Sequence, residues 1–336
     1  MLSRRIFCSA LLGPMLLAGA GTTRATEAPP GPTRIIVPAV SSGGTDILAR
    51  LIARELAARW GVPVTVENMP GAAGGVAARR VMRAAPDGRT LLMASTGTLM
   101  AAASGADGGL AAQFDVTEYF APVVLVAAPP YVVTLNPAVP TRTVGDLITF
   151  ARARRAEGRP LRYGTSGSGA ASHLTAVLFQ KEAQVEFAHV PLLGTGAAMQ
   201  ELLAGRIDLL FAPPQTVRGS VDVGWLVAVA TTGATRSPLF SDVPTVAESG
   251  VPGFESIGWF GLIAPHGTPS PIVGRIASDT AEILQQPELL ATLANIGTAL
   301  QPSTPAAFAH FINEEVAKWT HLLRDAGAMR IDVLPR

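Results

Sequence analysis

Three short stretches hold the residues best suited to ligand chemistry: "SSGGTD" (Ser41 to Asp46), "STGT" (Ser95 to Thr98) and "TSGSGAASH" (Thr165 to His173). Each combines glycine, which lets backbone come close to a ligand, with hydroxyls that donate hydrogen bonds without bringing a charge. A carboxylate fits such a lining, because free N–H groups at a helix start attract negative charge. The candidate contacts are Ser41, Ser42, Gly43, Gly44, Thr45 and Asp46 in the first stretch, Ser95 and Thr96 in the second, and Thr165, Ser166, Gly167, Ser168, Ser172 and His173 in the third. Taken singly, a Gly/Ser loop before a helix is ordinarily a turn with an N-cap. Three of them at strand ends favour binding. Asp46 reads first as a favourable acid in the first turn of its helix, with a second role in orienting the loop.

Covalent and metal chemistry find less support. Ser172 and His173 adjoin in sequence, but a nucleophile needs a base placed on it and a third group orienting that base. "GTSGSG" misses the G-x-S-x-G elbow, since Gly164 and Ser166 fit but Ser168 stands where the last glycine belongs. Neither "GSGAAS" nor "GTGAAM" completes a dinucleotide fingerprint. His173, His189, His266, His310 and His321 show no metal-ligand spacing, and the only cysteine is Cys8. No metal or cofactor is expected.

The elements that must position these loops alternate. "RIIVPAV" is a branched apolar run, after which Ile47, Leu48, Leu51, Ile52, Leu56 and Trp60 recur at helical spacing. "VPVTVEN" and "TLLMAS" read as further strands around the helix "AGGVAARRVMRAA". A second series follows: helix "TVGDLITFARARR", strand "LRYGTS", helix "SHLTAVLFQKE", strand "VEFAHVP", helix "GAAMQELLAG", and the strands "IDLLFA" and "WLVAVATT". This alternation predicts parallel sheets covered by helices on both faces. "APVVLVAAPPYVVTLNP", broken at Pro129 and Pro130, and the long strand "ESIGWFGLIAP" read as two crossings between domains. The chain ends in helices carrying Ile272, Ile276, Ile283 and Leu284, then Phe308, Phe311, Ile312, Val316 and Trp319. The expected division is 1–25 as an export signal, 26–130 as the first part of domain 1, 131–255 as domain 2, and 256–336 as the remainder of domain 1. Two crossings permit hinging about a cleft at the carboxyl ends of the strands.

The beginning of the chain sets the compartment. Arg4 and Arg5 precede an apolar stretch too short to span a bilayer comfortably, and "TRA" ending at Ala25 is a small-residue cleavage site. Twin-arginine and Sec export both accommodate it, and the periplasm is the expected location. Removing Arg4, Arg5 and Arg24 from 26 basic residues leaves 23 against 25 acids. The mature chain is thus mildly acidic, which argues against a nucleic-acid surface; the run "RARR" at Arg152 to Arg155 reads as a solvated helix face. About 310 mature residues exceed one core, so two domains are the default. A monomer is expected.

From about Thr33 to Gly327 the chain resembles the Bug proteins, also called the TctC family. The resemblance is carried by "RIIVPAVSSGGTDILARLIARELAARWGVPVTVENMPGAAGG", "APDGRTLLMASTGT", "RYGTSGSGAASHLTAVLF", "VEFAHVPLLGTGAAMQELLAGRIDLLFA" and "WFGLIAPHGTP", in that order. Those proteins are periplasmic solute receptors of tripartite tricarboxylate transporters. The resemblance implies an α/β type II periplasmic binding fold, two domains around a hinged cleft, and a carboxylated ligand held by backbone N–H and hydroxyl groups. Carried over by position, it points to Ser42, Gly43, Gly44, Asp46, Ser95, Thr96, Ser166, Gly167, Ser168, Ser172 and His173. It also implies a membrane permease as partner.

The chain departs from that pattern in places. Val40, Ser41 and Ser42 stand where the family commonly has F-P-P or close to it; Leu192 and Leu193 replace Tyr and Lys; Ala212, also expected to line the ligand, stands where an Asp is frequent. These changes predict a more apolar wall in domain 2, and a less polar monocarboxylate or aromatic carboxylate in preference to citrate or an acidic amino acid. Other readings remain at this point: a receptor for an ABC or TRAP system, a receptor feeding a sensor, or a secreted hydrolase using Ser166 or Ser172 with His173.

Overall fold

The computed structural model describes residues 31–41, 44–103, 116–295, 297 and 303–325. The expected export signal at 1–25, Ser42, Gly43, nearly all of "GADGGLAAQFDV" and the last residues lie outside these. The first series runs β1 (Thr33–Val37), α1 (Gly44–Trp60), β2 (Val64–Asn68), a 3-10 turn (Ala72–Gly74), α2 (Gly75–Met82), β3 (Thr90–Ala94), α3 (Thr96–Ala103), α4 (Val116–Tyr119) and β4 (Phe120–Ala127). The second runs β5 (Val132–Leu135), α5 (Val144–Ala156), β6 (Arg162–Thr165), α6 (Ala171–Ala183), β7 (Ala188–Pro191), α7 (Thr195–Leu203), β8 (Leu209–Ala212), α8 (Pro214–Asp222) and β9 (Val227–Thr231). The chain then continues through β10 (Phe260–Pro265), α9 (Ser270–Leu284), α10 (Pro287–Asn295) and α11 (Pro305–Asp325).

These strands form two five-stranded sheets, ordered β2-β1-β3-β10-β4 and β7-β6-β8-β5-β9. The sheets are mixed, where the alternation predicted parallel ones. β1 pairs in parallel with β2 and β3, whereas β10 runs antiparallel to β3 and β4; in the second sheet β5 runs antiparallel to β8 and β9. The physical reason is the crossing: a chain passing from one sheet to the other enters it from the opposite end, so its strand must run against the rest.

Each sheet is buried on both faces. Along β1, Ile35 and Val37 pack with Leu48, Ile52 and Leu56 of α1 and with α9, while Ile36 packs on the other side with Phe308, Ile312 and Trp319 of α11. Period-two alternation of side chains makes a continuous apolar run feed two cores. In the second sheet Val133, Leu209 and Phe211 face α5 and α6, and Val132, Leu210 and Ala212 face α7 and α8.

Other expectations need correction. "ESIGWFGLIAP" is not one strand: Ile257 makes an isolated bridge with Pro130, and the ladder begins at Phe260. The helix α8 lies between two strands that were read as consecutive; "PQTVRGSVD" is polar with a central glycine, and its one sequence signal is the proline at its first position. Between the sheets the two crossing segments are tied together. Gly258 N donates to Pro129 O at 2.8 Å, Ser256 N to Thr232 O at 2.8 Å, and Thr232 N to Tyr131 O at 2.9 Å. Thr175 of α6 joins them through Ser256 Oγ at 2.7 Å.

Candidate functional site

The three loops all leave the carboxyl ends of parallel strands, β1, β3 and β6, and lead into α1, α3 and α6. The first N–H groups of a helix have no acceptor within it. No side chain caps α6 at Ala170 or α7 at Gly194, so the first N–H groups of both helices have no side-chain acceptor at their N-caps, although His173 N donates to Ala170 O at 2.9 Å.

Tertiary packing brings the loops together. Gly74, at φ 97°, sits where a Cβ would meet Thr98 Oγ1 at 2.8 Å and Pro38 Cβ at 3.0 Å, so only glycine lets the first and second loops share this corner. Across the lobes, a Cβ on Gly97 would lie 3.6 Å from Ala170 Cα and Gly169 O and 3.7 Å from Ala171 N. The start of α3 therefore touches the loop before α6.

In the first loop, Asp46 is a brace. It is 2 % exposed. Asn68 Nδ2 donates to its Oδ1 at 2.9 Å, Arg50 Nε to its Oδ2 at 3.0 Å, and Ser41 Oγ to the same oxygen at 3.4 Å. Asn68 also donates to Ala39 O at 3.1 Å, which ties the end of β2 to both sides of the loop. Ser41 is exposed and Thr45 half-buried, so the surface of this loop is uncharged while its acid is turned inward.

The second loop is shorter than its sequence suggests, because Thr96, Gly97 and Thr98 already form the first turn of α3. Ser95 Oγ and Thr98 Oγ1 are 3.1 Å apart and hydrogen-bond across the first turn of α3. The Thr96 hydroxyl is buried with no hydrogen-bond partner.

In the third loop Thr165 is fully buried, and its Oγ1 meets His189 Nε2 at 2.8 Å and accepts from Gly167 N at 3.3 Å. Ser172 Oγ accepts from Ser166 N at 3.2 Å and lies 3.3 Å from Ser166 Oγ. Ser166, Gly167, Ser168 and His173 keep partial exposure and form the accessible rim. His173 Nδ1 accepts from Gly169 N at 3.2 Å, which puts the proton of the neutral ring on Nε2. Its ring stacks on His189 at 4.4 Å, and His189 stacks on Tyr163 at 4.9 Å, its register partner in the β6–β7 ladder.

Burial lowers the His173 pKa to about 4, and the neighbouring His189 adds to the effect. Because the folded value lies below the ordinary 6.5, the unfolded chain takes up this proton first as pH falls. The contribution to stability is full above about 6.5, shrinks between there and about 4, and is constant below. The expected loss is on the order of 2 kcal/mol, after allowing for residual solvent at the ring. Urea denaturation at pH 7 and pH 4.5 checks it: the wild type should lose that much more than His173→Gln, and an equal loss in both would refute it.

Several residues that hold the site were missed in the sequence. Asn68 carries no signal linking it to Asp46, whereas Arg50 stands at the i,i+4 spacing of a helical ion pair, and His189 sits inside an ordinary strand. The β7–α7 loop also belongs here: Leu192 N donates to Thr165 O at 3.2 Å and Gly194 N to Ser166 O at 3.3 Å. Ala212, expected to line the ligand, is fully buried among Val132, Leu210, Val217 and Phe240, and its side chain presents no surface to the cleft. The end of a central strand points its side chains into the layer beneath the helices, so that position belongs to the core.

Comparison with known proteins agrees with this architecture. Residues 48–328 match the family described as Tripartite tricarboxylate transporter family receptor, TctC. Protein BugT of Bordetella pertussis is 31 % identical over 304 residues, covering 89 % of this chain and 90 % of BugT. A solved structure of R. palustris Rpa4515 with adipate is 31 % identical with a TM-score of 0.78, covering 89 % of this chain and 98 % of that one. MatC from Rhodopseudomonas palustris with bound malate is 30 % identical with a TM-score of 0.77, covering 88 % and 99 %. The periplasmic binding protein BugD is 27 % identical with a TM-score of 0.76, covering 89 % and 98 %. With two mixed α/β sheets in this order and a match over most of its length, the chain belongs to the TctC, or Bug, family of tripartite tricarboxylate transporter receptors.

Proposed function

We propose that this chain is an exported receptor that captures a small carboxylated anion in the cleft between its lobes and delivers it to a membrane permease of the tripartite tricarboxylate type. The observation that carries this reading is the meeting of two glycine- and hydroxyl-rich helix starts, one from each lobe, at the Gly97 to Gly169 contact, with Pro38 before the first loop joined to Thr98 at the Gly74 corner. Such a cradle offers N–H and O–H donors to a carboxylate without a fixed cation. The adipate and malate held by two relatives support the ligand class, and the signal-like residues 1–25 support export.

In this reading Ser41, Thr45, Ser95, Ser166, Gly167, Ser168 and His173 contact the anion, with Ser42, Gly43 and Gly44 completing the first loop. Asp46, Thr165 and Ser172 hold those contacts in place from behind. Ligand contacts to both lobes favour the closed arrangement, and the crossing segments at Pro129 to Tyr131 and Ser256 to Gly258 form the hinge. A hydrolase is disfavoured, because the two serines bond each other and His173 Nδ1 is engaged by Gly169 N.

Thermal unfolding of the purified protein, stripped of bound solute, tests the reading against carboxylates, amino acids and neutral solutes. A carboxylate present at a hundred times its dissociation constant should stabilise the fold by about 2.7 kcal/mol, with a concentration-dependent midpoint. Stabilisation by neutral solutes alone would overturn it.

A further inference from the structure

Beyond the anion cradle, two large apolar side chains in or next to its loops lie open to solvent. Val40, immediately before the first loop, is 66 % exposed, and Leu193, in the β7–α7 loop, is 84 % exposed. Leu193 stands between the two backbone hydrogen bonds that fasten its loop to Thr165 and Ser166, so it is held beside the third loop. One apolar residue thus accompanies the cradle in each lobe. Leu192, its neighbour, is half-buried against the core beneath.

The same region lacks cations. No Lys or Arg occurs in residues 38–46, 95–98, 165–173 or 191–196, nor in the segments 69–75 and 213–216 that leave the same edges of the two sheets. The guanidinium nearest the first loop by position, Arg50, is taken by Asp46 and by Asn68 Oδ1 at 3.0 Å, while Arg218 and Arg236, in segments beyond β8 and β9, are paired with Asp222 and Glu248. A single carboxylate is served by N–H and hydroxyl donors, but a second one drawn into a closing cleft would lose water with no counter-charge in reach.

We infer that the site selects a monocarboxylate with an apolar body, the carboxylate lying on the loops at Ser95 and at Ser166 to Ser168 and the body between Val40 and Leu193, and that it discriminates against dicarboxylates. This inference rests on the proposed carboxylate-receptor function. It moves specificity to Val40 and Leu193, away from the buried Ala212.

The test is calorimetric titration of the stripped protein with hexanoate, adipate and hexanamide, which share a six-carbon chain and differ in charge. Hexanoate should bind at least about tenfold more tightly than adipate, whose second carboxylate stays unpaired. Each methylene added from butanoate to hexanoate should tighten binding by up to about fourfold, the value for full burial of a CH2 group. Leu193→Lys, at an exposed position that folding does not depend on, should shift the hexanoate-to-adipate ratio at least about tenfold toward adipate. Adipate binding as tightly as hexanoate would overturn the selectivity and leave the carboxylate receptor standing. Binding of hexanamide with neither carboxylate would overturn the receptor reading, and the selectivity with it.

Discussion

Replacing Asp46 with alanine is expected to lower stability by about 3 kcal/mol and to weaken carboxylate binding by about a hundredfold. The carboxylate is buried and accepts from Ser41, Arg50 and Asn68, so its removal leaves the Asn68 amide short of an acceptor inside the fold. Hydrogen bonds to a charged group are each worth about 1.5–3 kcal/mol, and the bond from half-exposed Arg50 contributes at the low end. Binding suffers because Asn68 also holds Ala39 O, so loss of the brace frees both flanks of the loop that presents the N–H donors. Asp46→Asn keeps an acceptor oxygen without the charge and should cost about 1 kcal/mol. Urea denaturation and calorimetric titration on the same samples separate the two effects. Unchanged affinity in a destabilised Asp46→Ala protein would mean that the brace supports the fold but not the site.

Gly97→Leu is expected to weaken binding by about a hundredfold while leaving the unfolding midpoint of the empty protein close to wild type. At this position a methyl group makes ordinary contact with Gly169 O, Ala170 Cα and Ala171 N, so Gly97→Ala should bind nearly as well as wild type. A leucine adds three more carbons where the space is already filled, and the only way to admit them is to draw α3 away from the loop before α6. Most of each core lies away from this contact, although Leu174 of α6 shares an apolar cluster with Leu99 and Met100 of α3. A hundredfold loss corresponds to about 2.7 kcal/mol, within the usual range for forced overpacking. Binding of the leucine variant at wild-type affinity would show that the lobes need not touch here when a ligand is held.

Both predictions turn on features visible to different extents in the sequence. The strand-to-helix alternation, the apolar runs buried on two faces and the glycine- and hydroxyl-rich loops are local properties, set by residue spacing over ten or twenty positions. They sufficed to read the α/β architecture, and they make the glycine- and hydroxyl-rich loops the proposed anion-binding edge. The antiparallel entry of β5 and β10 was not legible, because strand direction depends on which end of a sheet the crossing chain reaches. α8 was not legible either, since a short polar helix around Gly219 gains its stability from packing Val217 against the second sheet rather than from propensity.

Within the site the division follows the same physics. The sequence by itself determined the chemistry on offer: uncharged donors, a single cysteine at Cys8 far from the loops in sequence, and no Lys or Arg in the loops. Only the tertiary structure decided which of those residues face the cleft and which stand behind it. Asp46 and Asn68 are brought together from 22 positions apart, His173 and His189 become one stack, Gly97 meets Gly169, and Ala212 sinks into the core while Leu193 stays at the rim. Burial and hydrogen-bond partnership are set by long-range packing, which no local spacing encodes.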